Sequence, residues 1–140
     1  MASRHLILKM IKKGLFLPLP PSKNERKIPV TYYDRKKRRY VNMLLLSAET
    51  KLFKAECRKR FGKEKLKGVF ADKVDTRIIL DWFVPDMRRD IVNYHDDMCD
   101  AIQDGIGVND RYFLLTDNSR TVNKKETGVM VTIMQKNVPV

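Results

Sequence analysis

Residues 74–115 read VDTRIILDWFVPDMRRDIVNYHDDMCDAIQDGIGVNDRYFLL, and the periodicity changes twice within them. From Val74 to Val84 the alternation has a period of two. Val74, Thr76, Ile78, Leu80, Trp82 and Val84 share one face, and Asp75, Arg77, Ile79, Asp81 and Phe83 share the other, which becomes more apolar in its second half. This is a strand, and Pro85 ends it. From Ile91 or Val92 to about Asp104 the spacing becomes helical. Ile91, Tyr94, Met98, Ala101 and Ile102 form an apolar stripe opposite Asn93, Asp96, Asp97, Asp100 and Asp104. Gly105 and Gly107 are read as the stop, and Arg111–Leu115 as the next strand. Strand, helix and strand in succession predict an α/β (α+β) class: one small domain over residues 1–140, a mixed sheet and two main helices.

Working outward, the second main helix is read from Ser47 to Phe61. Ser47 is its N-cap, Glu49 sits at the positive end of the dipole and Gly62 stops it. Leu52, Phe53, Cys57 and Phe61 make its buried stripe. Before it, His5–Met10 alternates as a strand, and Gly14 is read as a turn into a second short strand, Leu15–Leu17. The proline-rich LPLPPSKN, Leu17–Asn24, then takes the chain out of the sheet. Ser22, Lys23 and Asn24 close that segment and are able to bind phosphate; a rigid turn without a ligand is the alternative. Two last strands are expected near Arg120–Asn123 and over Gly128–Gln135.

The net charge of +12 exceeds what solubility needs. A polyanionic partner follows: nucleic acid first, an anionic membrane surface second. The densest basic run is Arg35, Lys36, Lys37, Arg38 and Arg39, with Tyr32, Tyr33 and Tyr40 beside it. Mutual repulsion places these cations on a mobile loop or a solvated strand edge, where they suit phosphate neutralisation with stacking on unpaired bases. Two cysteines make no disulfide framework, which points to reduced thiols and the cytoplasm. No signal peptide is read, and the N-terminal apolar run is broken by Lys9, Lys12 and Lys13, so no membrane partner is expected.

Within this basic chain Asp90, Asp96, Asp97, Asp100, Asp104 and Asp110 crowd together. Such carboxylates repel one another and any polyanion. A divalent metal answers both problems, since it neutralises the acids and meets a phosphate. A solvated helix face is the alternative and accounts for Asp100 and Asp104 well. His95 and Cys99 have a zinc-compatible spacing but no second pair to complete a site, so packing is the better reading of both.

Several blocks resemble the RusA family of Holliday-junction resolvases, found in phages and prophages. LPLPPSKN resembles the family's strand-then-PPS-N opening. YVNMLLLSAETKLFKAECR resembles the entry to its first long helix, and VDTRIILDWFVPDMRRD its central strand and basic approach to the active site. RRDIVNYHDDMCDAIQDGIGVNDRYFL resembles the pattern R-D-x-D-N-x-x-K, then D-A-L, G and D-D. Arg89, Asp90, Asn93, Asp100, Ala101, Gly105 and Asp110 fall on matching positions. Ordered blocks over about 100 residues are more specific than any one motif.

The resemblance implies a homodimeric, structure-specific endodeoxyribonuclease in a bacterial cytoplasm, phage or prophage encoded. It would bind four-way or branched DNA and resolve Holliday junctions by paired, Mg²⁺- or Mn²⁺-dependent phosphodiester hydrolysis. Catalytic residues would be Asp90, Asp96, Asp110 and Asn93, with Asp90, Asp96 and Asp110 as metal ligands and Asn93 orienting a ligand or water. Lys23, Asn24, Arg35, Lys36, Lys37, Arg38, Arg39, Arg88 and Arg89 would contact DNA. Two positions depart from the pattern: Val92 replaces the family's second aspartate, and Asp96 its lysine. Asp96 lies one helical turn beyond position 92 and is read as replacing the missing carboxylate, with Asp97 as a substitute. Two alternatives remain: a catalytically degenerate protein that binds branched DNA without cleaving it, and a basic RNA-binding protein.

Overall fold

The computed structural model describes residues 7–21, 27–88 and 90–140, with the side chains of 27–29 and 42–46 left aside. In chain order the strands are β1 (Leu8–Leu17), β2 (Lys27–Asp34), β3 (Arg39–Leu46), β4 (Thr76–Val84), β5 (Phe113–Val122) and β6 (Gly128–Pro139). The helices are α1 (Ala48–Glu64) and α2 (His95–Ile106), with single 3-10 turns at Ile91–Tyr94 and Asp110–Tyr112. One sheet has the order β1-β6-β4-β5, and β2 pairs with β3 in a separate hairpin. The four-stranded sheet is mixed, because β4 and β5 run parallel and the other neighbours antiparallel. The expected fold class, a mixed sheet with two main helices, is the one observed.

Parallel strands β4 and β5 need a crossover, and α2 supplies it. The alternation read in residues 74–84 is realised over Thr76–Val84. Thr76, Ile78, Leu80, Trp82 and Val84 are buried, and Arg77, Ile79, Asp81 and Phe83 are exposed or half-buried. Register pairs Ile78, Leu80 and Trp82 with Ile133, Val131 and Val129 of β6. Phe53, Cys57 and Phe61 of α1 and Met98, Ile102 and Ile106 of α2 join the same core. Buried Gln135 fixes the α1–β4 connection. Its Nε2 donates to Ala71 O (2.8 Å) and Thr76 Oγ1 (3.0 Å), while its Oε1 accepts from Ala71 N (2.9 Å).

The helix boundaries differ from the sequence reading at their glycines. Ser47 caps α1 as expected, its Oγ accepting from Thr50 N at 3.2 Å. The helix continues through Gly62 to Glu64, and the left-handed residue that ends it is Lys65 (φ 51°), whose N–H reaches the carbonyls of Gly62 and Phe61. Leu52 is 71% exposed and Thr50 is buried in its place, so the α1 stripe is Thr50, Phe53, Cys57 and Phe61. Gly105 lies inside α2, and Gly107 (φ 78°) is its C-cap. A Cβ on Gly105 would fall 2.3 Å from the Phe61 ring, so this glycine sets how closely the helices approach.

Two other expectations are corrected, and one that left two alternatives is resolved. Gly14 makes no turn: β1 is continuous, and Gly14 pairs with Thr132 across the ladder. Residues 113–122 form one strand, not two, because the parallel ladder with β4 continues through a bulge between Leu80 and Asp81. Of the two placements expected for the cations at 35–39, the solvated strand edge is the one observed. Arg35–Arg38 make the turn of the β2–β3 hairpin, and Arg39 begins β3. His5 lies outside the described residues.

Candidate functional site

The hairpin presents the basic run in a defined shape. Asp34 Oδ1 accepts from Lys36 N (2.9 Å) and Lys37 N (3.2 Å), which closes the turn, and Arg38 takes the left-handed conformation (φ 52°). Arg35, Lys36, Lys37, Arg38 and Arg39 are all exposed. A turn at a hairpin tip lets like charges diverge into solvent, which relieves the repulsion that a helix face would concentrate. Register pairs Tyr33 with Tyr40, and their rings meet edge to face with centroids 5.3 Å apart. Tyr32 points to the opposite face of the hairpin, and all three tyrosines are exposed.

The acidic stretch spreads along α2. Asp90 follows the end of β4 and caps the first 3-10 turn, its Oδ1 accepting from Val92 N at 3.1 Å. Asn93 and Val92 are exposed beside it, and Arg88 is exposed with its N–H on Asp86 Oδ1 at 2.9 Å. Asp96 and Asp100 lie one turn apart on the exposed face of α2. Asp97, expected on that face, is 1% exposed and faces inward. Asp104 pairs with Arg58 at 2.8 Å. Asp110 stands in the second 3-10 turn, its N–H donating to Gln103 Oε1 at 2.7 Å. The half-buried Cys99 thiol is pushed up to about 11, first by burial and then by the charges of Asp110, Asp100 and Asp96. Those three carboxylates therefore share its surroundings.

Asp90 does not join them. It precedes the 3-10 turn at the start of α2, whereas Asp110 is anchored near the other end, and a helix of this length spans about 18 Å. Oxygens sharing one magnesium ion each lie about 2 Å from it. Among the described residues, no three His, Cys, Asp or Glu side chains are grouped to hold a metal ion. A single chain thus does not assemble the Asp90, Asp96 and Asp110 set. Of the expected set, Asp96 and Asp110 share the surroundings of Cys99, together with Asp100. Lys23, Asn24, Ser22 and Arg89 lie outside the described residues.

One polar cluster is not foreseen by the sequence reading. Asp117 of β5 receives the indole N–H of Trp82 (Nε1–Oδ1 2.9 Å) and lies 2.8 Å from His95 Nε2. It ties the start of α2 to both parallel strands. The signal for it is the buried Trp82, whose N–H needs an acceptor. Asp117 falls between the two strands expected near it, which hides its inward orientation.

No protein-family model matches the chain, and no curated protein matches it. No helix among the described residues is long and apolar enough to cross a membrane.

Proposed function

We propose that this protein is a RusA-like DNA-junction protein that grips branched DNA through the β2–β3 hairpin. The observation carrying this reading is that hairpin, where consecutive exposed cations surround a turn closed by Asp34 and flanked by three exposed tyrosines. The cations neutralise phosphates, and the aromatic faces suit the unstacked bases at a branch point. The preference for branched DNA over duplex rests on the family-like blocks, above all residues 88–114, and the homodimer expected with them rests on the same blocks. The test is an equilibrium competition of four-way junction against linear duplex and RNA, with the wild type and a hairpin variant.

Junction cleavage is a second reading, favoured by the Asp96–Asp100 pair on the exposed face of α2. Magnesium commonly uses one or two carboxylates together with substrate phosphate oxygens, so this pair is where an ion would be held. When bound, it would supply an activated water and neutralise charge on the phosphate. Asp96→Asn is the discriminating variant. Metal-dependent paired nicks lost in that variant, with binding retained, support cleavage at this pair. Binding without nicks in Mg²⁺ or Mn²⁺ leaves the protein a junction binder.

A further inference from the structure

Register places Phe16, Met130, Asp81 and Ser119 in one row across β1, β6, β4 and β5. Strand alternation turns this row away from the core that Leu80 and Trp82 share with the helices. Phe83 lies two residues along β4 from Asp81, and its register partner is Gly128. A Cβ on Gly128 would fall 2.4 Å from the Phe16 ring, so a glycine is what lets that ring lie beside Phe83. With Met130 the two rings wall a cavity of about 350 Å³, a size usual for ligand sites. Its polar groups are held in place. Asp81 Oδ1 accepts from Asn118 Nδ2 (2.8 Å) and Ser119 Oγ (2.6 Å), and among the described residues Oδ2 receives no donor. Asn123 Oδ1 accepts from Lys125 N (3.1 Å) and Glu126 N (3.0 Å), which closes the turn into β6 and brings Asn123 and Glu126 to the same cavity. Lys124 and Lys125 stand exposed on that turn.

We propose that this cavity receives one unpaired DNA base, a guanine. The inference deepens the junction-binding reading and rests on it, since a branch point supplies the unstacked base. The Phe16 and Phe83 rings are 6.1 Å apart and inclined at 48°. That is too close for a base to enter between them, which needs about twice 3.5 Å. The base therefore stacks across the exposed ring faces, beside Met130. Carboxylates accept and do not donate, so they select a base edge made of donors. Guanine offers a ring N–H next to an amino group and meets Asp81 Oδ2 and Glu126 with the two. Cytosine and adenine offer an amino group alone. Thymine flanks its one N–H with two carbonyl oxygens, which the carboxylates repel. Lys124 and Lys125, next to Glu126, take the phosphate of the same nucleotide. A cationic side chain from a protein partner would suit Asp81 and Glu126 but meet these lysines. A neutral base carrying a phosphate satisfies both signs.

The experiment measures binding of the full chain to duplexes that carry a single unpaired guanine, inosine or thymine. Inosine lacks the amino group of guanine. The wild type is expected to prefer guanine to thymine at least about tenfold, with inosine between them. Asp81→Asn keeps an oxygen for Asn118 and Ser119 but puts an amide donor where Oδ2 stood. The guanine preference is then lost while the melting temperature holds. Glu126→Gln, at an exposed position, narrows the preference without touching the fold. Equal affinity of the wild type for the three duplexes, or an unchanged preference in both variants, overturns the proposal. So does tight binding of free guanosine monophosphate with no discrimination among the duplexes, which would make the cavity a free-nucleotide site. Junction competition on the same samples separates the two claims. Junction selectivity without base discrimination sinks only this site. Base discrimination without junction preference sinks only the function.

Discussion

Asp117 Oδ2 lies 2.8 Å from His95 Nε2, and Oδ1 of the same carboxylate receives the Trp82 indole N–H at 2.9 Å. One side chain of β5 thus serves both the first residue of α2 and the second half of β4. Asp117→Ala leaves a buried indole donor without its acceptor and frees the helix start. The expected cost is about 1–3 kcal/mol. Urea unfolding followed by the single tryptophan measures it. An unchanged midpoint would mean that the cluster does not hold α2.

The close approach of Gly105 and Phe61 predicts an overpacking effect. A Cβ at 2.3 Å from a ring that is itself 2% exposed has no room unless the helices separate. Gly105→Ala should lower stability by about 1–3 kcal/mol despite alanine's better helix propensity. Phe61→Leu in the same chain should recover part of that loss. A stabilised Gly105→Ala protein in thermal melts would contradict the packing described.

The hairpin carries a salt-dependence prediction. Replacing Lys36, Lys37 and Arg38 together by alanine should weaken DNA binding and flatten its dependence on salt. The slope of log K against log salt should fall by up to about 0.9 for each phosphate that is no longer neutralised. Melting should be unaffected, because the turn is closed by backbone donors to Asp34 rather than by the cations. An unchanged slope would place the DNA elsewhere.

The two thiols predict reactivity and its pH dependence. Burial pushes Cys57 up to about 12 from the ordinary value of 9.0, and Cys99 up to about 11. Since the thiolate is the nucleophile, Cys57 should resist alkylation at pH 8 in the folded protein and react once it is unfolded. Folding holds these protons more tightly than the unfolded chain does. Their contribution to stability is therefore complete below pH 9 and lost as pH rises towards 11 for Cys99 and 12 for Cys57. Cys57→Ala should show a shallower alkaline decline in stability between pH 9 and 12. Rapid native-state labelling of Cys57 would contradict its burial.

Legibility in the sequence follows the physics of each element. Trp82 and its neighbours on β4 alternate strictly because one face is covered by helices, so that strand is legible nearly to the residue. Glycines mislead. Gly14, Gly62 and Gly105 look like punctuation, yet Gly14 is a ladder residue, Gly62 is an ordinary helical position and Gly105 packs against a ring; the αL cap of α1 falls to Lys65. The hairpin at 27–46 is only half legible, because charge repulsion allows a loop as well as a solvated strand edge, while aromatic cross-strand pairing such as Tyr33–Tyr40 favours strands. In the acidic stretch, spacing along the chain does not show that Asp90 and Asp110 fall at opposite ends of α2. That separation is a consequence of the parallel crossover.

The most direct test of the central claim is competition between a four-way DNA junction and a linear duplex of the same sequence for the wild-type protein at physiological salt. The account predicts a junction preference of at least about tenfold, equivalent to about 1.4 kcal/mol, that shrinks when the hairpin cations are removed. Equal affinity for junction, duplex and RNA would contradict it and leave a basic protein without selectivity for branched DNA.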